Sequence, residues 1–384
     1  MKILFLLDIF DNGGVSKILL NLLKKMDTNF FSVSLLLFNK NPSFDILLPK
    51  DVKVRYLFNK APDRSRYKFI RYMNGIIKFI LPKVLIRLFV FNVNYDLVID
   101  FKSNNVHTLL AFKGKKIVWL HKDFSLETNL IEKESLEVYG KTINYKLKHF
   151  YFVNALRKVD KIVLISETTR SSFEKRYGFS DKTIVLYNPI DSDGITKLAN
   201  ETVNDWNKRR ITICCVSRIS KGKGIERLFN IANKLNKSNI IFDLIIIGDG
   251  DGFGYIQNLY KKFNFNNVFL FGHRNNPYPY IKNSDLFVCP SETEAYSTVL
   301  TEASIIGIPI ISTDTGASSE IIQKYQSGLI TKNTEDDLYQ AIKIFLLNSF
   351  NVKKSNNSMK EADYHKTILK IEEFFVKIGE SNVK

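Results

Sequence analysis

Short apolar runs of about four to eight residues punctuate the whole chain, and between them apolar positions recur at helical spacing. Lys2-Ile-Leu-Phe-Leu-Leu7 reads as a buried strand, and Ile18, Leu19, Leu22, Leu23 and Met26 line one face of the helix after it. The same alternation continues with runs at 31–38, 52–57, 96–100, 115–120, 160–166 and 182–188, and again at 210–216, 242–247, 268–272, 286–289, 310–312 and 328–330. Ile225, Leu228, Phe229, Ala232 and Leu235 form one intervening helical stripe; Val299, Ala303 and Ile306 form another. Strands that are apolar on both faces and alternate with helices predict parallel α/β sheets. Residues 192–209 are polar and read as a linker between two such sets. A chain of 384 residues fits two domains of this kind.

Ligands of a parallel α/β sheet bind beyond the carboxyl ends of its strands, so the loops there carry the candidate chemistry. Asp285-Leu-Phe-Val-Cys-Pro-Ser-Glu-Thr-Glu294-Ala-Tyr-Ser-Thr-Val-Leu-Thr-Glu302 reads as strand, loop and helix start. The residues Ser297, Thr298, Val299 and Leu300 open that helix, and a helix N-terminus offers free N–H groups and a positive dipole end to a phosphate. Glu294 lies in the loop, and Glu302 lies inside the helix beside its apolar face. They are either a capping carboxylate with a solvated partner or two acceptors for ligand hydroxyls. Ser217-Arg218-Ile-Ser-Lys221-Gly222-Lys223-Gly224 sets three cations and two glycines between a strand and a helix. That composition suits an oxyanion, with a fork from Arg and a mobile charge from Lys, although a solvated basic turn has the same residues.

Gly13 and Gly14 sit between the first strand and its helix, where they mark either a plain βα turn or a loop that admits close backbone approach. His121 ends a strand and is either a plain loop histidine or one placed for ligand contact, with His107 the weaker alternative. Asp249-x-Asp251 has the spacing of a metal-binding pair.

The net charge of +17 is uneven. Residues 1–190 hold 32 Lys and Arg against 17 Asp and Glu, a net of +15, and the remainder carries +2. Within 60–91 eight basic residues face one acid, Asp63, with Tyr, Phe, Ile and Leu interleaved. This is the composition of an interfacial helix pair on an anionic membrane, or of amphipathic helices packed on the sheet with solvated basic faces. No helix-turn-helix, zinc-finger or RNP-like pattern supports nucleic acid as the partner. Three cysteines make no disulfide framework. The first residues are too short and too soon acidic for a signal peptide, so the expected location is cytoplasmic, peripheral on the inner face of the membrane.

Taken together, Ser291, Glu294, Glu302-Ala303 and Gly307-x-Pro309, with Arg218 and Lys223 upstream, resemble the signature of retaining GT-B glycosyltransferases of family 4. Asn188-Pro-Ile-Asp191, Gly248-Asp-Gly250, Gly316 with Glu320-Ile-Ile322 and Gly328-Leu-Ile330 extend the resemblance over nearly all the chain. It departs at Ala295 and Ser297, where the family has Gly and then Gly or Pro, and at Ser217, where it has Gly.

The resemblance implies a GT-B fold: two Rossmann-like domains, 1–190 for the acceptor and 191–360 for the nucleotide sugar, facing across a cleft. A C-terminal helix within 361–384 would cross back to the first domain. It implies that Arg218 and Lys223 hold the donor diphosphate and that Glu302 binds the ribose. Glu294 and His121 would contact the donor sugar. His273 and Arg274 would border the base, and Gly13 and Gly14 would face the phosphates and the acceptor. It further implies a metal-independent hexosyltransferase with no cofactor, using a nucleotide-diphosphate sugar, expected to be a UDP-sugar. The expected acceptor is a glycan or lipid-linked glycan in bacterial capsule or lipopolysaccharide synthesis. Two other readings of these residues are a non-catalytic nucleotide-sugar-binding or membrane scaffold subunit and a nucleotide-sugar epimerase of the same fold.

Overall fold

The computed structural model describes residues 1–11, 13–58, 94–102, 105–124, 149–348 and 362–380. The basic stretch at 60–91 and most of the charged stretch at 125–150 lie outside the described residues. The chain divides into two compact units, Met1–Pro189 with His365–Lys384, and Ile190–Tyr364.

In the first unit the order is β1 (Lys2–Ile9), α1 (Gly14–Lys25), β2 (Ser32–Asn39), α2 (Pro42–Asp45), β3 (Lys53–Phe58), β4 (Leu97–Asp100), α3 (Val106–Leu109), β5 (Lys115–Leu120), β6 (Lys161–Leu164), α4 (Glu167–Tyr177) and β7 (Thr183–Val185). The strands form one sheet in the order β3-β2-β1-β4-β5-β6-β7, and every pairing is parallel. Ile3 to Leu7 are all fully buried, which explains why these strands are continuously apolar rather than alternating. Val106, Leu109, Phe112, Leu156 and Phe173 pack with Leu4, Val98 and Val118 in one core.

The second unit contains α5 (Ser192–Ala199), β8 (Thr212–Val216), α6 (Ile225–Lys237), β9 (Asp243–Ile247), α7 (Phe253–Phe263), β10 (Val268–Gly272), α8 (Tyr278–Asn283), β11 (Leu286–Cys289), α9 (Thr298–Ile306), β12 (Ile310–Thr313), α10 (Ser318–Tyr325), β13 (Gly328–Thr331) and α11 (Glu335–Asn348). Its sheet order is β10-β9-β8-β11-β12-β13, again parallel. The order turns between β8 and β11: β9 and β10 lie on one side, β12 and β13 on the other. That reversal is the switch point at which an open α/β sheet takes its ligand.

The expected polar linker at 192–209 is corrected in its first half. Asp191 caps α5, its side chain accepting the Gly194 N–H at 3.0 Å. Ile195 and Ala199 are buried at helical spacing, and the helix packs on α8 and α9. The polar average concealed a cap and an i, i+4 apolar pair.

α12 (Ala362–Glu380) is the last described element, and from His365 onward it belongs to the first unit. Ile368, Ile371 and Phe375 form its buried stripe. Phe375 is fully buried and meets Phe5, Phe31 and Trp119 edge-on at centroid distances of 6.2, 6.4 and 6.5 Å. Glu372 accepts the Asp27 N–H at 2.8 Å. No helix among the described residues is long and apolar enough to cross a membrane.

Candidate functional site

Two loops of the second unit meet beyond the carboxyl ends of the neighbouring strands β8 and β11. The first, 217–224, is held from below: Ile219 donates to Asp249 O at 3.0 Å and accepts from Gly252 N–H at 3.0 Å. It is joined to the second loop through Gly222 O, which accepts from Glu292 N–H at 2.8 Å and Thr293 N–H at 3.3 Å. Gly224 has φ +71°, and a Cβ there would lie 2.0 Å from Pro290 O, so only glycine lets the backbones approach this closely.

This join brings Lys223 to Glu294, and their side chains form a hydrogen-bonded ion pair. Both are about four-fifths buried, with side-chain exposures of 20% and 18%. Arg218 and Lys221 are exposed on the same loop and have no ion-pair partner among the described residues. The far side of the Glu294 loop is fixed by β12. Thr313 Oγ1 donates to Ser291 O at 2.6 Å, Ala317 N–H donates to Ala295 O at 3.1 Å, and Gly316 abuts the Glu294 carbonyl too closely for any Cβ.

The departure at Ser297 has a structural result. Ser297 is the N-cap of α9, and its hydroxyl accepts the Leu300 N–H at 3.3 Å. Leu300 therefore has an acceptor. The N–H groups of Thr298 and Val299, in the first turn, have no intrahelical acceptor and keep the anion-binding capacity of that end. Glu302, only 8% exposed, lies one turn further in. The Tyr278 hydroxyl of α8 donates toward it, and burial, with the negative charges of Glu302 and Asp191 adding, pushes the tyrosine pKa well up. Tyr278 was not singled out from sequence; its pattern signal is Asn276-Pro-Tyr, whose partner Glu302 is 24 residues on.

His273 and Arg274 follow β10, two strands from β8. Arg274 is committed within the protein: it donates to Phe271 O at 2.8 Å and Asp205 Oδ2 at 2.7 Å. His273 is exposed and lies 3.2 Å from Asn275 Oδ1. Asp249 Oδ1 accepts the following Gly250 N–H at 2.7 Å, as a turn residue does, and no metal-binding cluster of His, Cys, Asp and Glu occurs among the described residues.

In the first unit, Gly13 caps α1 with φ −76°, so its backbone does not require glycine. Asp11 Oδ1 accepts from Gly13 N–H at 3.0 Å and from the Ser16 hydroxyl at 2.8 Å. A carboxylate thus already occupies the start of the helix that Gly14 opens, an arrangement that favours hydroxyl groups over a diphosphate there.

His121 follows β5. Its ring is stacked on Trp119 at 6.2 Å and tilted against Phe101 at 4.8 Å. Both ring nitrogens are buried and have no hydrogen-bond partner among the described residues. Burial, aided by the charge of Lys102, pushes its pKa down to about 3, so at neutral pH the imidazole is uncharged and can donate one hydrogen bond and accept another. The folded value lies below the unfolded 6.5, so the unfolded chain takes the proton first. Stability is fully present above pH 6.5 and falls as the pH drops toward about 3, by up to about 1.4 kcal/mol per unit. Urea titrations followed by circular dichroism from neutral pH down to pH 5 should show this slope, and His121→Phe should flatten it. An equal slope in both proteins would refute the assignment.

The sequence and its fold have identifiable relatives. A family model described as Glycosyltransferase Family 4 matches residues 12–193, and one described as Glycosyl transferases group 1 matches residues 197–366. An uncharacterized glycosyltransferase of Methanocaldococcus jannaschii is 28% identical over 206 residues, 52% of this chain and 48% of that protein, so the chain spans about half the length of that relative. The N-acetylgalactosamine-N,N'-diacetylbacillosaminyl-diphospho-undecaprenol 4-alpha-N-acetylgalactosaminyltransferase of Campylobacter jejuni is 24% identical over 344 residues, 87% of each chain. The crystal structure of Anabaena HepE in complex with UDP and glucose superposes with a TM-score of 0.68 at 18% identity, covering 98% of each chain. These likenesses show the fold, two parallel-sheet Rossmann-like units of the GT-B class.

Proposed function

We propose that this chain, a glycosyltransferase of GT-B fold, moves a hexose or N-acetylhexosamine from a nucleotide-diphosphate sugar to a glycan or lipid-linked glycan, with retention of configuration. The observation that carries this reading is the union of Lys223 and Glu294 beside the open first turn of α9, at the carboxyl ends of β8 and β11. In the reaction the bond between the sugar's anomeric carbon and the β-phosphate oxygen breaks, an acceptor hydroxyl oxygen takes its place, and the hydroxyl's proton leaves with the departing diphosphate. Negative charge then grows on the departing diphosphate. Lys223, Arg218 and the Thr298 and Val299 N–H groups stabilise that charge from fixed positions, the kind of preorganisation that dominates many enzymatic rates. These groups do the work a divalent cation does elsewhere. Glu294 orients the sugar, and Glu302 accepts the ribose hydroxyls.

The lipid-linked acceptor draws support from the Campylobacter relative, whose name specifies a diphospho-undecaprenol-linked acceptor. The basic, aromatic composition of 60–91 supports peripheral contact with an anionic membrane on the cytoplasmic side, in the synthesis of a surface polysaccharide.

A thermal-shift screen over UDP-, GDP- and ADP-sugars tests the core of the reading. The matching nucleotide at a hundred times its Kd should stabilise the folded state by about 2.7 kcal/mol. A chain that responds to none of them would refute a nucleotide-sugar donor. Turnover abolished by a chelator and restored by magnesium or manganese would refute metal independence.

A further inference from the structure

We infer that Tyr278 is a positioning residue of the nucleotide site: its hydroxyl fixes the Glu302 carboxylate for the ribose, and the chain's preference for ribonucleotides over deoxyribonucleotides depends on it. This rests on the reading of Glu302 as the acceptor of the ribose hydroxyls. Glu302 lies in the middle of α9 and is 8% exposed. Side chains of a helix lean toward its N-terminus, so a glutamate at this position reaches back toward the open first turn at Thr298 and Val299. Its carboxylate sits at the end of a flexible stem, and that freedom is lost when a ligand is bound. A carboxylate held in place beforehand therefore binds the same hydroxyls more tightly.

The holding group is built into α8. Helices α5, α8 and α9 pack on one another within the second unit. Asn276 sets the start of α8. Its Oδ1 accepts the Tyr278 N–H at 3.2 Å, while its Nδ2 donates to Leu198 O at 2.9 Å and Glu201 Oε2 at 2.8 Å, at and just beyond the end of α5. Pro277 stands at the cap of α8 with its φ locked by the ring. The backbone of Tyr278 is thus fixed on its amino side against a neighbouring helix. Tyr278 is half-buried, and its hydroxyl donates to Glu302. A rigid ring presents that hydroxyl at low entropic cost.

Charge fixes the direction of the bond. A phenol has a single proton to give. Burial, with the negative charges of Glu302 and Asp191 adding, pushes the Tyr278 pKa well up, so the proton stays on the tyrosine. Asp191 is already engaged as the cap of α5, where it accepts the Gly194 N–H at 3.0 Å. A carboxylate accepts at about four lone-pair positions, so the tyrosine and the hydroxyls of a ribose can share Glu302.

Calorimetric titration with UDP, GDP and ADP, each beside its 2′-deoxy and 3′-deoxy forms, tests this. The parent should bind one of the three ribonucleotides about 10- to 100-fold more tightly than the weaker of its deoxy forms, the usual value of a hydrogen bond to a charged group. In Tyr278→Phe the ribonucleotide should weaken about tenfold and the deoxy forms by less than about twofold, so the preference falls at least about fivefold. Tyr280→Phe removes a hydroxyl from the same helix, one that donates to Asp205, and should keep the parent's preference. A parent that binds none of the nucleotides, or binds ribose and deoxyribose forms equally, would overturn the reading of Glu302 and this inference with it. A parent that discriminates while Tyr278→Phe discriminates as strongly would overturn the role of Tyr278 alone. So would an equal loss of both affinities in Tyr278→Phe, the mark of a packing role, or an equal fall in preference in Tyr280→Phe.

Discussion

Lys223→Ala should lower kcat/KM for sugar transfer by about 100- to 1,000-fold, the usual cost of removing one fixed donor from a developing oxyanion. Lys223 is the only cation of its loop that the structure pairs with a carboxylate, Glu294, among the described residues. The pair has two consequences that can be separated. Before the donor arrives, Glu294 holds the ammonium in place. Once a diphosphate is present, the same ammonium has a second anion to share. Lys223→Arg keeps the charge but replaces a compact point charge with a planar fork, so it should recover only part of the loss. Glu294→Gln should also be slow. The double change should cost less than the sum of the two singles, since the groups are in contact and each single change strands the other. Steady-state kinetics of nucleotide release, with and without acceptor, gives these values directly. Lys223→Ala within tenfold of the parent would remove the electrostatic role assigned here.

Gly224→Ala is expected to be the most damaging of the conservative changes, destabilising the second unit by about 3 kcal/mol or more and removing activity with it. Two costs combine. An L-residue at φ +71° is strained by about 1–2 kcal/mol. The new methyl group would also sit 2.0 Å from Pro290 O, so the loops at 217–224 and 290–294 must separate. Their separation breaks the bonds at Gly222 O and draws Lys223 away from Glu294. Gly178→Ala is a comparison for strain without collision, since nothing lies within 4 Å of the new Cβ, although its φ +74° and ψ −136° are less tolerant of a side chain than the left-handed φ +71° and ψ 17° of Gly224. It should lose about 1–3 kcal/mol with full activity. Urea unfolding of both variants, followed at Trp206 for the second unit and by circular dichroism for the first, distinguishes strain from collision. A Gly224→Ala variant that keeps full activity and loses no more than about 1 kcal/mol would mean that the close approach at Pro290 contributes nothing.

Much of the molecule is legible from local pattern because its strands are buried on both faces. Ile3–Leu7, Leu35–Phe38 and Leu244–Ile247 are apolar without interruption for that reason, and their order with the helices already implies parallel sheets. The cations at 217–224 and the carboxylates at 294 and 302 are visible too, since each lies where a strand gives way to a loop. Less visible is what depends on a distant partner. Nothing around Arg274 indicates that its guanidinium meets Asp205, nor around Tyr278 that it meets Glu302. Asp11 filling the Gly13 loop is a local contact, yet a glycine pair reads as an opening until the neighbouring side chain is placed. α5 was hidden for a further reason: an average over a polar stretch does not register one cap and two apolar positions.

The placement of α12 bears on the order in which the two units can close. Phe375 completes a core begun by Phe5, Phe31 and Trp119, so residues 1–189 hold an unfilled aromatic socket until residues 365–380 have been made. The second unit is contiguous in sequence and lies between those two parts, so its chain is complete before that of the first. Truncation ahead of residue 365 would therefore remove part of the first unit's core and leave the second unit's chain nearly whole.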